Sequence, residues 1–246
     1  MIVGFVGAGS MAAAMARGWA GAAETMLFTD AGSGRAAELA EELGGKVVGS
    51  NAELAEQADL VVLAVKPAKL DQVAAELGAA RAVISLLGAT PLERLATAFP
   101  SADVVRVMPN VAVEVRRGVL CVAGSEGPEA REMLALLGHV VELPDAQFDA
   151  ATAVMGCAPA YLALAVEALA DAGADAGLDA GLARELVVET TAGTAELLRS
   201  RHPTDVRKAV ASPGGSTEAG LEALDREGAR AAFEAAVRAS LERMRR

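Results

Sequence analysis

Aromatic residues make up only 3% of this 246-residue chain, so base stacking on an aromatic platform is not a working principle here. Lysine occurs only at positions 46, 66, 69 and 208; the other eighteen basic residues are scattered arginines. With a net charge of −11 and a pI of about 4.8, the chain lacks the basic footprint that nucleic acid requires. The two cysteines, Cys121 and Cys157, stand in no C-x-x-C or Cys/His cluster, which excludes a disulfide framework and a structural zinc and suits a reducing cytoplasm. Histidine is equally rare, and His139 and His202 both read as structural. No basic n-region precedes the apolar run at Ile2, so no secretory leader is expected. The longest apolar runs are Ala-rich and interrupted by charge, so no membrane helix is expected either.

What is present is a hydrophobic content of 53%, enough for one large core or two modest ones. The first half alternates short apolar runs with helical periods. Strands are expected at 2–6, 26–29, 47–48, 60–65, 82–86, 104–107, 119–122 and 140–143. Helices are expected at 10–19, 35–43, 52–56 and 128–137, and Thr90-Pro91-Leu92-Glu93 reads as a capping box that starts another. Such repeated strand–helix–strand units point to a parallel doubly wound sheet. Strand signals end near Pro144. Ala/Leu-rich helices follow at about 148–172, 179–200, 203–211, 216–226 and 228–245, with Arg243, Arg245 and Arg246 at the last C-terminus. The fold class is therefore α/β: an N-terminal Rossmann-type doubly wound sheet over 1–146 and a C-terminal all-α domain over 147–246. Five Ala-rich helices bury little area alone, which predicts that this half dimerises.

Gly7-Ala8-Gly9-Ser10-Met11-Ala12 fits the G-x-G-x-x-G/A fingerprint and lies between a strand and a helix, the context that gives the motif meaning. Gly7 permits the tight turn, Gly9 lets the backbone approach a pyrophosphate, and Ala12 lets the helix pack close to the strand. Asp30, at the end of the second strand, stands where an acid grips a ribose 2′-hydroxyl, which favours NAD. Ser33 and Arg35, in a loop with Gly32 and Gly34, suit the 2′-phosphate of NADP. The balance leans to NADP, with NAD open. Lys66 ends the central strand, where ligands of open α/β sheets bind.

Near the C-terminus, Ser212-Pro213-Gly214-Gly215-Ser216-Thr217 combines adjacent glycines, a stiffening proline and three hydroxyls. Such a loop can hold a small carboxylate through backbone N–H groups. A cofactor site at one end and a small-anion loop at the other suggest an oxidoreductase.

The fingerprint, Val65-Lys66-Pro67, Arg106-Val107-Met108-Pro109-Asn110, Gly156-Cys157-Ala158-Pro159-Ala160-Tyr161 and the Ser212 loop occur in one order. On these motifs the chain resembles the pyrroline-5-carboxylate reductases over essentially its whole length. The resemblance implies NAD(P)H-dependent reduction of Δ1-pyrroline-5-carboxylate to L-proline by a homodimer joined through the helical domain, often in rings of dimers. It implies that Val6, Gly7, Ala8, Gly9, Ser10 and Met11 hold the pyrophosphate, that Ser33 and Arg35 serve the 2′-phosphate and that Asn51 lies by the adenine. Ala64, Val65, Lys66 and Pro67 with Ser85, Leu86, Leu87 and Gly88 would line the nicotinamide half, and Asn110 would sit near the reacting ring. Ser212 to Thr217 would bind the substrate carboxylate, with the Thr217 hydroxyl at the imine nitrogen. Cys157 and Ala158 depart from the family's usual Ser and Gly, Ser216 stands where Thr is common, and the stretch Ser85–Gly88 is one residue shorter than usual. A reductase of another cyclic imine, such as piperideine carboxylate, and a non-catalytic NADP-binding regulator stay open. A β-hydroxyacid dehydrogenase is disfavoured, because Phe148 to Asp171 contains no lysine to act as its acid/base.

Overall fold

The computed structural model describes residues 1–124 and 127–244. They divide into two compact units, Met1–Cys157 and Ala158–Arg243.

In the first unit the strands are β1 (Ile2–Val6), β2 (Thr25–Thr29), β3 (Lys46–Val47), β4 (Leu60–Leu63), β5 (Ala82–Ser85), β6 (Asp103–Pro109), β7 (Gly118–Gly124) and β8 (Gly138–Glu142). They form one sheet in the order β3-β2-β1-β4-β5-β6-β7-β8. The chain reverses side between β1 and β4, which makes that gap the topological switch point. All pairs are parallel except β6–β7. This exception corrects the expectation of a wholly parallel sheet. Only a 3₁₀ turn, Val111–Val115, joins β6 to β7, and a parallel crossover needs a dozen residues or more.

Helices α1 (Ser10–Gly18), α2 (Arg35–Leu43), α3 (Asn51–Gln57), α4 (Leu70–Glu76), α5 (Leu92–Ala98) and α6 (Pro128–Ala135) cover both faces of the sheet. Strand side chains alternate between two cores. In β4, Leu60 and Val62 join Phe5, Met15, Trp19 and Phe28 on one face, while Val61 and Leu63 join Leu54, Leu70 and Leu95 on the other. The capping box expected at Thr90 does not form. The Thr90 hydroxyl donates to the Gly88 carbonyl, and the Leu92 N–H at the start of α5 donates to Asp145 Oδ2 at 3.3 Å, from fifty-three residues away.

Trp19 shows how the cores are tied. It is fully buried, its ring lies 5.9 Å from that of Phe5, and its Nε1–H donates to the Met133 carbonyl at 2.7 Å. That carbonyl lies in the last turn of α6, where helical acceptors lose their partners. Trp19→Phe is expected to cost about 2 kcal/mol, from the unpaired carbonyl and the residual void. Urea unfolding followed by circular dichroism checks it, and an unchanged midpoint would deny the bond any weight.

Strands end at Glu142, yet the first unit runs on to Cys157. The reason is Phe148, at the start of α7 (Phe148–Ala151), which is buried against Cys121 and Ala123. A π turn, Thr152–Gly156, follows, so the helix expected over 148–172 is interrupted there. Asn110 Nδ2 donates to the Met155 carbonyl in that turn at 3.2 Å.

The second unit comprises α8 (Ala158–Asp175), α9 (Ala180–Leu198), α10 (Pro203–Val210), α11 (Ser216–Arg226) and α12 (Ala229–Met244, its last residue outside the unit). Asp179 caps α9 by accepting from the Gly181 and Leu182 N–H groups, and Tyr161 shares a 2.6 Å hydroxyl–hydroxyl bond with Ser240. Arg243 lies in the last turn of α12, as expected; Arg245 and Arg246 lie outside the described residues. Ala170 and Ala183 are buried here, while Leu162, Leu164, Leu169 and Leu186 are exposed. One helical run, Asp145–Asp175, is long and apolar enough to cross a membrane by length and composition. This corrects the reading of the apolar runs as charge-interrupted, since no charged residue stands between Asp149 and Glu167.

Candidate active site

The expected cofactor residues all belong to the first unit, and the topology gathers them. Gly7–Met11 follow β1, Asp30 follows β2, Ala64–Pro67 follow β4, Leu86–Gly88 follow β5 and Asn110 follows β6. These five strands are consecutive and parallel, so their carboxyl ends line one edge. Gly7 turns the chain there with φ +98°, and its N–H donates to the Thr29 carbonyl at 2.9 Å. A Cβ at Gly7 would lie 2.5 Å from the Ala64 carbonyl oxygen, whereas one at Gly9 would meet nothing within 4 Å. Gly7 is thus required by the fold, and Gly9 leaves open a cradle at the start of α1 into which a phosphate fits.

Two hollows flank this turn. One, of about 340 Å³, is bordered by Gly9, Ser10, Arg17, Arg35 and Glu42. Arg17 Nε donates to Glu42 Oε1 at 2.6 Å, and this bond raises the arginine's pKa and lowers that of the glutamate. The other, of about 230 Å³, is bordered by Gly7, Thr29, Asp30, Asn51, Val65 and Lys69. Asn51 is fixed there because its Oδ1 accepts from the Thr29 hydroxyl at 2.6 Å and its Nδ2 donates to Glu76 Oε2 at 2.7 Å. Lys66 is exposed and borders neither hollow; Lys69, one turn on, borders the second. The strand-end pattern does not reach Lys69, because the 3₁₀ turn Pro67–Lys69 that sets its place follows the strand.

Asp30 does not point a free carboxylate along the edge. Its Oδ1 accepts from the Gly32 N–H at 2.7 Å, and its Oδ2 accepts from the Ser33 hydroxyl at 2.7 Å and the Ala36 N–H at 3.1 Å. The Ser33 bond first, then Ala36, lowers its pKa. Ser85 is fully buried, and its Oγ accepts from the Leu87 N–H at 3.4 Å. Asn110 is buried too; its Oδ1 accepts from the Val119 N–H at 3.2 Å, so its amide links β7 to the π turn.

In the second unit, Ser212–Gly215 form a turn closed by Gly215 N–H donating to the Ser212 carbonyl at 2.9 Å, with Gly214 at φ +72°. Gly215 then caps α11 with no side chain. The N–H groups of Ser216 and Thr217 have no hydrogen-bond partner among the described residues, as first-turn donors do not. Gly214 N–H is engaged by Glu218 Oε2 at 2.6 Å, so this donor is already used within the loop. Among the described residues no group of His, Cys, Asp or Glu is arranged to hold a metal ion.

A glycine turn at the switch point, with the strand ends beside it and an Ala-rich helical unit after it, defines a Rossmann-type dinucleotide-binding protein. Residues 2–88 match the family described as "NADP oxidoreductase coenzyme F420-dependent", and residues 145–246 match "Pyrroline-5-carboxylate reductase dimerisation". A pyrroline-5-carboxylate reductase from Synechocystis sp. is 39% identical over 80% of this chain and 78% of its own. The crystal structure of 1-pyrroline-5-carboxylate reductase from Streptococcus pyogenes superposes with a TM-score of 0.87 at 30% identity, covering 99% of this chain and 98% of that one. The Plasmodium falciparum pyrroline carboxylate reductase, solved with NADP bound, gives 0.84 at 27% identity over 99% and 97%. The chain belongs to the pyrroline-5-carboxylate reductase family. The matched dimerisation region supports homodimer formation, and the exposed leucines of α8 and α9 are apolar surface that pairing can cover.

Proposed function

We propose that the chain reduces Δ1-pyrroline-5-carboxylate to L-proline, the last step of proline synthesis, as a cytoplasmic homodimer that can associate further into a ring of dimers. The observation that carries the reading is the Ser212–Thr217 loop, which presents unpartnered N–H groups and hydroxyls at the start of α11 in a chain that also has a dinucleotide edge. Its ligand is a small carboxylate, with neither nucleic acid nor membrane as a partner.

NADPH, when bound, supplies the hydride that reduces the C=N carbon. Gly7–Met11 hold its pyrophosphate at the start of α1, Ser33 and Arg35 take the 2′-phosphate end, and Asn51 borders the adenine side. The strand ends Ala64–Pro67 and Ser85–Gly88, with Asn110, support the nicotinamide half. Ser212, Pro213 and Gly214 shape the turn, Gly215 and Ser216 present the backbone, and the N–H groups of Ser216 and Thr217 donate to the substrate carboxylate. The iminium N–H donates to the Thr217 hydroxyl oxygen, which keeps the imine in its more electrophilic, protonated form. Thr217 is too weak an acid to deliver that proton, so the substrate brings it from solvent. Positioning supplies most of the rate.

Thr217→Ala is expected to lower kcat/KM for the imine about tenfold, the worth of one hydrogen bond to a charged group, with KM for NADPH unchanged. Unchanged imine kinetics would remove Thr217 from the site. The reading as a whole is tested by following NADPH oxidation with Δ1-pyrroline-5-carboxylate and assaying proline. Oxidation matched by proline supports it. Oxidation only with a six-membered imine would move the substrate, with Cys157 and Ala158 the first residues to exchange. Binding without turnover would leave a regulator.

A further inference from the structure

We propose that Asp30 is a positioning residue for the ribose 2′-phosphate, orienting Arg35 through Ser33, and so selects NADP although it stands where an acid usually selects NAD. The inference rests on the cofactor reading above and concerns which residues of this loop decide between the two cofactors.

Three contacts carry it. Asp30 Oδ2 accepts the Ser33 hydroxyl proton at 2.7 Å, and Ser33 Oγ in turn accepts from Arg35 Nε at 3.2 Å, which gives a relay Arg35→Ser33→Asp30. The same Oδ2 accepts from the Ala36 N–H at 3.1 Å, in the first turn of α2. The helix's own N-cap is Gly34, at φ +82° and without a side chain, so Asp30 supplies the missing cap from the strand end. Oδ1 accepts from the Gly32 N–H at 2.7 Å and closes the turn between. Its own loop takes three of the carboxylate's four acceptor sites, both on Oδ2 and one on Oδ1, which leaves Asp30 at most one for a ribose hydroxyl. The Nη groups of Arg35 make no hydrogen bond among the described residues, and the side chain borders the hollow beside Gly9 and Ser10. Binding of Nε by Ser33 holds the planar guanidinium while leaving its outer N–H pairs for an anionic oxygen. The ionised state of Asp30 is held by the same donors, the Ser33 hydroxyl foremost.

The test needs no turnover. Binding of 2′,5′-ADP and 5′-AMP, which differ at the 2′ position, is measured by calorimetry on the full-length protein and its variants. Wild type is expected to prefer 2′,5′-ADP. Asp30→Ala is expected to weaken 2′,5′-ADP about tenfold, the scale of a lost cap and relay, and to leave 5′-AMP unchanged. Asp30→Asn, whose single amide oxygen can still accept on one side, from the Gly32 N–H or from the Ala36 N–H and Ser33 hydroxyl, is expected to fall between the two and guards against a folding failure of the alanine variant. Tighter 2′,5′-ADP binding by either variant would overturn the proposal, since it would mark Asp30 as a repelling charge. Loss of 5′-AMP binding would overturn it by making Asp30 a ribose ligand. A wild type that binds neither fragment would overturn the cofactor reading itself and the proposal with it. That outcome differs from a lost preference in the variants.

Discussion

Gly9→Ala is expected to weaken NADPH binding about 100-fold while leaving folding stability within about 1 kcal/mol of wild type. The expectation follows from what surrounds the new methyl group. Gly9 has φ −75° and ψ 174°, which alanine adopts freely, and its added Cβ would touch no protein atom within 4 Å. The only thing it can displace is a ligand at the start of α1. Gly7→Ala, two residues earlier, is expected to behave differently. At φ +98° an L-residue is strained by about 1–2 kcal/mol, and the Cβ would also press on the Ala64 carbonyl oxygen from 2.5 Å. Relief of that contact must shift the end of β4, so a loss of about 3 kcal/mol in stability is expected together with lost cofactor binding. Thermal unfolding and cofactor titration on both variants separate the two cases. If Gly9→Ala bound NADPH normally, the pyrophosphate would not lie on this turn.

The second large effect is expected at Asp145. Its Oδ1 receives Arg106 Nη1 at 2.7 Å, and its Oδ2 receives the α5 N–H of Leu92. Arg106 is buried, its Nε has no partner, and its guanidinium lies 4.4 Å from the centre of the Phe148 ring. Asp145→Ala strands that buried charge with only the ring for support and is expected to cost about 3–4 kcal/mol. The Asp145 side chain is 32% exposed and that of Arg106 only 5%. Burial alone would rank Arg106 as the costlier residue to change. The expectation here is the reverse: Arg106→Met, which fills similar volume and leaves an aspartate that water reaches, should cost less than Asp145→Ala. The double variant Asp145→Ala/Arg106→Met should regain part of the loss, because no unpaired charge stays buried. Urea midpoints decide it, and a double variant no more stable than Asp145→Ala would remove the stranded charge as the cause.

The difference between these sites is also the difference between what can and cannot be read along the chain. The fingerprint at Gly7 was legible because its chemistry is local: strand, turn and helix are contiguous, and each glycine's role follows from the next few residues. The same holds for the Ser212 loop, where Gly215 and the first turn of α11 adjoin. The Arg106–Asp145 pair joins residues thirty-nine apart, and Leu92 draws its cap from the same Asp145, fifty-three residues on. Neighbouring sequence offered Thr90 for that cap instead, and nothing local to Thr90 shows its hydroxyl turned back to Gly88.

By itself, then, the sequence determined the alternation of apolar runs and helical periods, the switch to Ala-rich helices near Pro144, the glycine turn and the order of the family motifs. Those depend on backbone freedom and on side-chain period, both properties of short segments. Only the tertiary structure decided that β7 runs against β6, that five strand ends share one edge, and that Asp30 spends both carboxylate oxygens within its own loop. Each of those depends on which distant or competing partner a polar group meets once the chain is packed, and a residue's type does not specify its partner.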